Sequence, residues 1–244
     1  QGVSSAASDV YKRQEMTELP SSLRGRVLVA GAGVSGRGCV AMLASLGVDT
    51  TVADANETAL AELAEEYGVA TVSVDSAAQG DFDLVVTSPG WRPDSPLLVA
   101  LQDAGVEVIG DVELAYRLDR AGVFGAPRTW LVVTGTNGKT TTTGMLAQIM
   151  QADAERTGKR ALAVGNIGVS LFDALTATPR VDVLCAELSS FQLHWSRHLR
   201  PDVGVLLNLA DDHLDWHGSF DAYARAKAKV CLLYTSDAAD DTPC

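Results

Sequence analysis

The chain is poor in cysteine, and none of its cysteines has the spacing of a metal ligand pair. Of the four, Cys231 and Cys244 lie near the C-terminus, while Cys39 and Cys185 sit in apolar settings. Those two read as small core residues of a reducing compartment, which excludes a disulfide-built scaffold. No apolar run reaches the ~18 residues of a membrane-spanning helix, and no charged-then-apolar leader is present. Membrane insertion is therefore not expected. Basic residues are also scarce, with 19 Lys and Arg against 31 Asp and Glu and a formal net charge of −12. With no basic stripe, nonspecific nucleic-acid binding is excluded. A nucleotide ligand is not, because it needs only local amides and one or two cations. At 47% apolar residues there is ample material for a core. The expectation is an acidic cytoplasmic enzyme, acting as a monomer.

The two ends are expected to be foreign. Residues Ser4 to Gln14 and Cys231 to Asp240 can be read from opposite strands of one DNA segment that resembles a sequencing-library adapter. Residues 1–14 and 231–244 are accordingly expected to be translated adapter and are set aside from fold reasoning. The remaining length suits one large domain or two smaller ones.

Between the tails the pattern alternates between strand and helix. Arg26 to Ala30 is a short apolar strand that runs into Gly31-Ala32-Gly33-Val34-Ser35-Gly36 and then a helical pattern through Val40, Leu43 and Leu46. Thr50 to Asp54 is a second strand ending in an acid. Strand, G-x-G-x-x-G, helix, strand and acid form a Rossmann-like layout, with room for a ligand at Gly33 and close helix packing at Gly36. Further strands are predicted over 70–74, 84–87 and 106–109, and helices over 59–67, 97–104 and 111–118. Alternation of this kind implies a parallel sheet covered on both faces. Gly122 to Arg128, with Gly125 and Pro127, is the candidate linker.

A second unit opens with Leu131-Val132-Val133-Thr134, then Gly135-Thr136-Asn137-Gly138-Lys139-Thr140-Thr141 and a helix predicted from Thr141 to Asp153. This is a phosphate-binding loop in the short form G-x-x-G-K-T. Its backbone amides and helix start suit phosphate oxygens, Lys139 can reach the outer phosphates, and Thr140 can place a hydroxyl on Mg²⁺. Strands are predicted over 160–164, 181–188 and 203–209, and a helix over 220–230. The expected architecture is α/β throughout: a Rossmann-like parallel-sheet domain over 15–122, then an incomplete P-loop α/β domain over 123–230.

Five motifs now stand in order: G-T-N-G-K-T at Gly135, G-N-I-G at Gly165, E-L-S-S-F-Q-L at Glu187, N-L-A-D-D-H-L-D at Asn208 and Y-A-R-A-K at Tyr223. Together they resemble the Mur ligase family of peptidoglycan synthesis. E-L-S-S-F-Q-L and G-N-I-G point within it to members that join D-glutamate to UDP-N-acetylmuramoyl-L-alanine. The resemblance covers about 24–230 and implies three domains in the parent protein, of which the third is absent here and the second is cut short. It implies ATP and Mg²⁺ as cofactors and amide formation through an acyl phosphate. Gly135 to Thr141 would hold ATP, with Lys139 on the β- and γ-phosphates. Thr140, Glu187, His213 and a carbamylated Lys227 would serve the metal ions, and Lys139, Glu187, His213 and Lys227 the reaction. Val34, Ser35, Asp54, Gly90, Asn166 and Ser189 would contact the UDP-sugar. His194, His198 and His217 receive no role, and Lys229 reads as an exposed helix lysine.

Three alternatives remain open at this point. Another Mur-type ligase or a folylpolyglutamate synthase relative shares the short P-loop, but should lack E-L-S-S-F-Q-L. An NAD(P)-dependent oxidoreductase could be built on 26–118, although the P-loop counts against it. A nucleotide-binding fragment without activity is the third.

Overall fold

The computed structural model describes residues 19–232. The predicted adapter-derived tails therefore lie outside it, apart from Cys231 and Leu232. The first unit runs β1 (Val27–Ala30), α1 (Val34–Ser45), β2 (Thr50–Ala53), α2 (Glu57–Tyr67), β3 (Ala70–Val72), α3 (Val74–Ala77), β4 (Leu84–Thr87), α4 (Pro96–Asp103), β5 (Glu107–Gly110) and α5 (Asp111–Arg120). Its five strands are hydrogen-bonded in the order β3-β2-β1-β4-β5, all parallel. The strand order reverses beside β1, where the glycine turn leaves the sheet, and such a reversal opens a crevice at the C-terminal strand ends.

The second unit runs β6 (Thr129–Thr134), α6 (Lys139–Ala152), α7 (Ala154–Thr157), β7 (Ala161–Gly165), α8 (Leu171–Thr176), β8 (Val183–Glu187), α9 (Ser190–His194), β9 (Val203–Leu206), α10 (Leu214–His217) and α11 (Phe220–Ala228). Its sheet is ordered β7-β8-β6-β9, again parallel. The P-loop therefore leaves an interior strand. β1, β4 and β8 are buried along their whole length, which is why they read as unbroken apolar runs in place of alternating ones. Cys39 and Cys185 are buried, and burial raises both thiol pKa values, as inert core residues require.

The strand predicted over 70–74 stops at Val72, because Ser73 caps a short helix by accepting from the Ser76 amide. The strand predicted over 203–209 stops at Leu206. Short helices such as α8, α9 and α10 went unpredicted, since one or two turns are too brief to show a 3.6-residue period.

The segment predicted as a linker is not a loose tether. Asp119 at the end of α5 is fully buried, and its carboxylate accepts from the Arg128 amide (3.0 Å), the Arg128 guanidinium (2.8 Å) and the Trp130 indole (2.9 Å). Arg128 also donates to the carbonyls of Val181 and Leu175. Further bonds cross between the units: the Gly110 amide donates to the Trp195 carbonyl (3.0 Å), the Tyr116 hydroxyl to the Arg200 carbonyl (2.9 Å) and Arg120 to Asp202 (2.9 Å). The two sheets are thereby held with their C-terminal strand ends facing one cavity.

Candidate active site

The cavity has a volume of about 460 Å³ and is lined from both units. The first unit contributes Val34, Ser35, Pro89 and Asp111. The second contributes Lys139, Asn166, Ser189, Ser190, Phe191, His213 and Lys227, among others. Five helices begin at its wall: α1 at Val34, α5 at Asp111, α6 at Lys139, α8 at Leu171 and α9 at Ser190. A helix start carries unpaired amides and a partial positive charge, so the three longer ones, α1, α5 and α6, make the wall attractive to an elongated polyanion.

Around the first turn, a Cβ on Gly36 would fall 1.8 Å from the Gly31 carbonyl oxygen, so only glycine lets α1 approach β1 this closely. Next to Gly33 there is open space. Val34 is 95% exposed, an apolar side chain offered to the cavity mouth. The Ser35 hydroxyl donates to Asp111 at 2.6 Å, and burial raises the pKa of that carboxyl. Asp54 lies elsewhere. Its carboxylate accepts from the Ala32 amide (2.6 Å) and the Asn56 amide (2.8 Å), and the residue lines a separate cavity with Glu57, Thr71 and Asp75. The acid thus braces the glycine turn. Gly90 is exposed one residue beyond Pro89 and is not part of the cavity wall.

The P-loop is built as its glycines require. Gly138 caps α6 at φ +82°, a conformation that favours glycine. The first bond of the helical ladder runs from the Thr142 amide to the Gly138 carbonyl, so the amides of Lys139, Thr140 and Thr141 precede it. The amide of Asn137, expected in the phosphate cradle, is instead taken by the side chain of Asn208 at 3.0 Å. The Lys139 ammonium folds back onto the carbonyls of Gly135 (3.0 Å) and Thr136 (2.9 Å).

Lys227 is buried on α11, and its ammonium donates to the same Gly135 carbonyl at 2.7 Å. Burial, and then the Lys139 charge, lower its pKa to about 8. Tyr223, one helical turn earlier, lies beneath Lys227 with the ammonium 5.0 Å from the ring centroid, and shares a 2.7 Å hydrogen bond with the Thr136 hydroxyl. The sequence signal for Tyr223 was its i, i+4 spacing from Lys227. Glu187 ends β8, buried. One carboxylate oxygen accepts from Asn166 at 3.1 Å, while the other has no partner. Ser189 is committed as the cap of α9, accepting from the Gln192 amide at 3.2 Å.

His213 is, among the described residues, the one non-glycine residue with positive φ (+50°). Such a backbone is costly for a side chain with a Cβ and persists where packing enforces it. Here the His213 ring lies 4.7 Å from Phe191, centroid to centroid, and a backbone bond from the Trp216 amide closes the turn.

Behind it, His194 and His217 pack among Phe191, Trp195, Trp216 and Tyr223. Burial first, and neighbouring cations second, hold both imidazoles at about 4, below the ordinary 6.5. The unfolded chain therefore binds more protons than the folded one across that window. The contribution of these two imidazoles to stability is fully present above about pH 6.5 and is lost as pH falls toward 4. Urea midpoints at pH 7 and pH 5 should differ, and His194→Phe should shrink the difference. An unchanged difference in the variant would show that His194 does not carry it.

Lys229, expected as an exposed lysine, is half-buried. It donates to the carbonyls of Leu193 (2.8 Å) and His194 (2.6 Å), closing the end of α9, and burial lowers its pKa to about 8. The Y-A-R-A-K motif singled out Lys227 and left Lys229 without a role, and only packing revealed the partners of Lys229.

Two family models match the chain: the Mur ligase MurD-like N-terminal domain over residues 25–110 and the Mur ligase middle domain over residues 133–239. The chain belongs to the Mur ligase family. It is 63% identical over 231 residues to the UDP-N-acetylmuramoylalanine--D-glutamate ligase of Corynebacterium diphtheriae, covering 93% of this chain and 48% of that protein. It is 61% identical over 218 residues to the ligase of the same name from Corynebacterium efficiens, covering 88% and 45%. The Rhodococcus jostii ligase is 55% identical over 215 residues, covering 85% and 42%. The chain thus spans about half the length of the curated relatives it matches.

Proposed function

We propose that this chain is the substrate-activating part of an ATP-dependent ligase that adds D-glutamate to UDP-N-acetylmuramoyl-L-alanine. The observation that carries the reading is the cavity in which the glycine-turn helix of the first unit faces Lys139, His213 and Lys227 of the second. The UDP-sugar would lie along the helix starts, with Val34 and Ser35 at one end and Asn166 near the other. ATP would enter over Gly135 to Thr141. Asp54 would act through the turn it braces.

Two anions must meet for the first step, a carboxylate oxygen and the γ-phosphate. Lys139 is positioned to leave its parking place on Gly135 and Thr136 and neutralise the phosphate oxygens. The carboxylate attacks phosphorus, the bond to the bridging oxygen breaks, and ADP leaves with an acyl phosphate formed. The amine of D-glutamate then attacks the acyl carbon, and phosphate departs as the amide forms.

Mg²⁺ suits the donors present. Glu187 holds one buried carboxylate oxygen without a partner, and Thr140 offers a hydroxyl, both hard oxygen ligands. Among the described residues no group of three His, Cys, Asp or Glu side chains forms a metal cage, so phosphate oxygens would complete the set. When bound, Mg²⁺ would offset the charge on the reacting oxygens. An ammonium at Lys227 does not fit beside a cation. A carbamate does, and the lowered pKa of Lys227 leaves more neutral amine to accept CO₂. His213 would stand near the same oxygens.

A cytoplasmic, monomeric enzyme is the expected setting, and no helix among the described residues is long and apolar enough to cross a membrane. The reading is tested with the full-length parent protein by ADP release. Turnover should need ATP, UDP-N-acetylmuramoyl-L-alanine and D-glutamate together. Turnover with L-alanine in place of D-glutamate would assign another Mur-type ligase.

A further inference from the structure

Asn208 stands two residues past the end of β9 and holds the P-loop with three bonds. Its side-chain oxygen accepts from the Asn137 amide at 3.0 Å, and its side-chain nitrogen donates to the Asn137 carbonyl at 3.1 Å. Its own backbone carbonyl accepts from the Thr136 amide at 3.1 Å. β6 and β9 pair in parallel as far as Thr134 and Leu206, and the Leu207 amide still reaches the Thr134 carbonyl at 3.0 Å. Beyond that rung the loop turns at Gly135, with φ +154°, and the backbones diverge. A carboxamide presents one acceptor and one donor in a plane, as a peptide unit does. The Asn208 side chain therefore supplies a further rung where backbone no longer can.

The fit has no slack. A Cβ on Gly135 would fall 3.1 Å from Leu207 Cβ and 3.4 Å from the backbone of Asn208. Asn208 is not among the residues lining the cavity; it bonds the loop at Thr136 and Asn137, ahead of the start of α6.

We propose that Asn208 is a positioning residue for ATP: it sets the curvature of Thr136 and Asn137, and so the direction in which the following amides point at phosphate. This rests on the ligase reading above. An alanine removes both side-chain bonds. An aspartate can still accept from the Asn137 amide but faces the Asn137 carbonyl without a donor and adds a negative charge beside phosphate.

The test is steady-state kinetics and nucleotide titration on the full-length parent. Asn208→Ala should raise the KM for ATP about tenfold, as expected for two neutral hydrogen bonds. The KM values for the UDP-sugar and D-glutamate should stay within about twofold. Asn208→Asp should bind ATP more weakly than Asn208→Ala, with a gap that narrows at high salt. A wild-type KM for ATP in Asn208→Ala, or an equal loss for all three substrates, would overturn the positioning role. Wild-type protein that fails to bind ATP would overturn the ligase reading itself, and the two failures are distinct.

Discussion

Lys227→Ala in the full-length parent should lower ligase turnover by at least about 100-fold, the scale seen when one charge-stabilising group is removed from a reacting centre. The prediction follows from burial and charge. Lys227 is 2% exposed, shares the Gly135 carbonyl with Lys139, and has its pKa lowered to about 8. Two ammonium groups converging on one carbonyl repel each other. That arrangement makes little sense for a permanent cation, but suits a lysine that becomes an anion. As a carbamate, Lys227 would turn repulsion from Lys139 into attraction and add oxygen donors to the neighbourhood of Glu187. Formate or acetate added to Lys227→Ala should therefore restore part of the activity, while ammonium salts should not. Turnover of the unmodified parent should also rise with bicarbonate at limiting CO₂. Full activity in the alanine variant would refute the role. Rescue by an amine would show that the positive charge is what matters.

The second large effect concerns stability. Asp119→Ala should destabilise the chain by about 3–5 kcal/mol, because it leaves a buried guanidinium and a buried indole N–H without their acceptor. The Asp119 and Arg128 side chains are 0% and 1% exposed, so water cannot take over. For a chain of this size the loss corresponds to a fall in Tm on the order of 10 °C. Adding Arg128→Met to Asp119→Ala should recover part of it, since an apolar replacement of the whole pair removes the orphaned charge. A loss below about 1 kcal/mol in the single variant would show that the pair is not a structural lock. Because Asp119 joins the end of α5 to β6, the same variant should weaken binding of any ligand that spans the two units.

Much of this arrangement was legible in sequence because its causes are local. β1, β4 and β6 are short apolar runs bounded by turn residues, and both glycine-rich turns carry their conformation in their residue types. Gly138 must adopt a left-handed backbone and Lys139 must follow it, so the P-loop could be read before any fold was known. Gly36 likewise announces a close packing that the structure contains. The helix boundaries moved by a residue or two, as capping decides them. Asn56, Ser73 and Ser170 each cap a helix start through a side-chain bond.

What could not be read in sequence depends on contacts between distant residues. Asp54 was expected to meet a ligand, and its carboxylate also accepts from two backbone amides, a bracing role that nothing in its spacing announces. Lys229 and Lys227 are two residues apart on similar chemistry. Lys229, just past the end of α11, closes the end of α9, while Lys227 on α11 enters the site, and only packing shows which groups each one meets. Asn208 and Asp111 carried no individual signal, because each acts through a loop or hydroxyl far away in the chain. Residue types and short spacings thus determined the two parallel sheets and the phosphate loop, and five ordered motifs carried the resemblance to the family. Tertiary structure alone decided that five helix starts share one cavity, that Asp119 and Arg128 lock its two halves, and that Lys227 lies buried against Lys139. A sequence records which groups a segment offers, while burial and the approach of remote segments set which of those groups are satisfied and which remain to do chemistry.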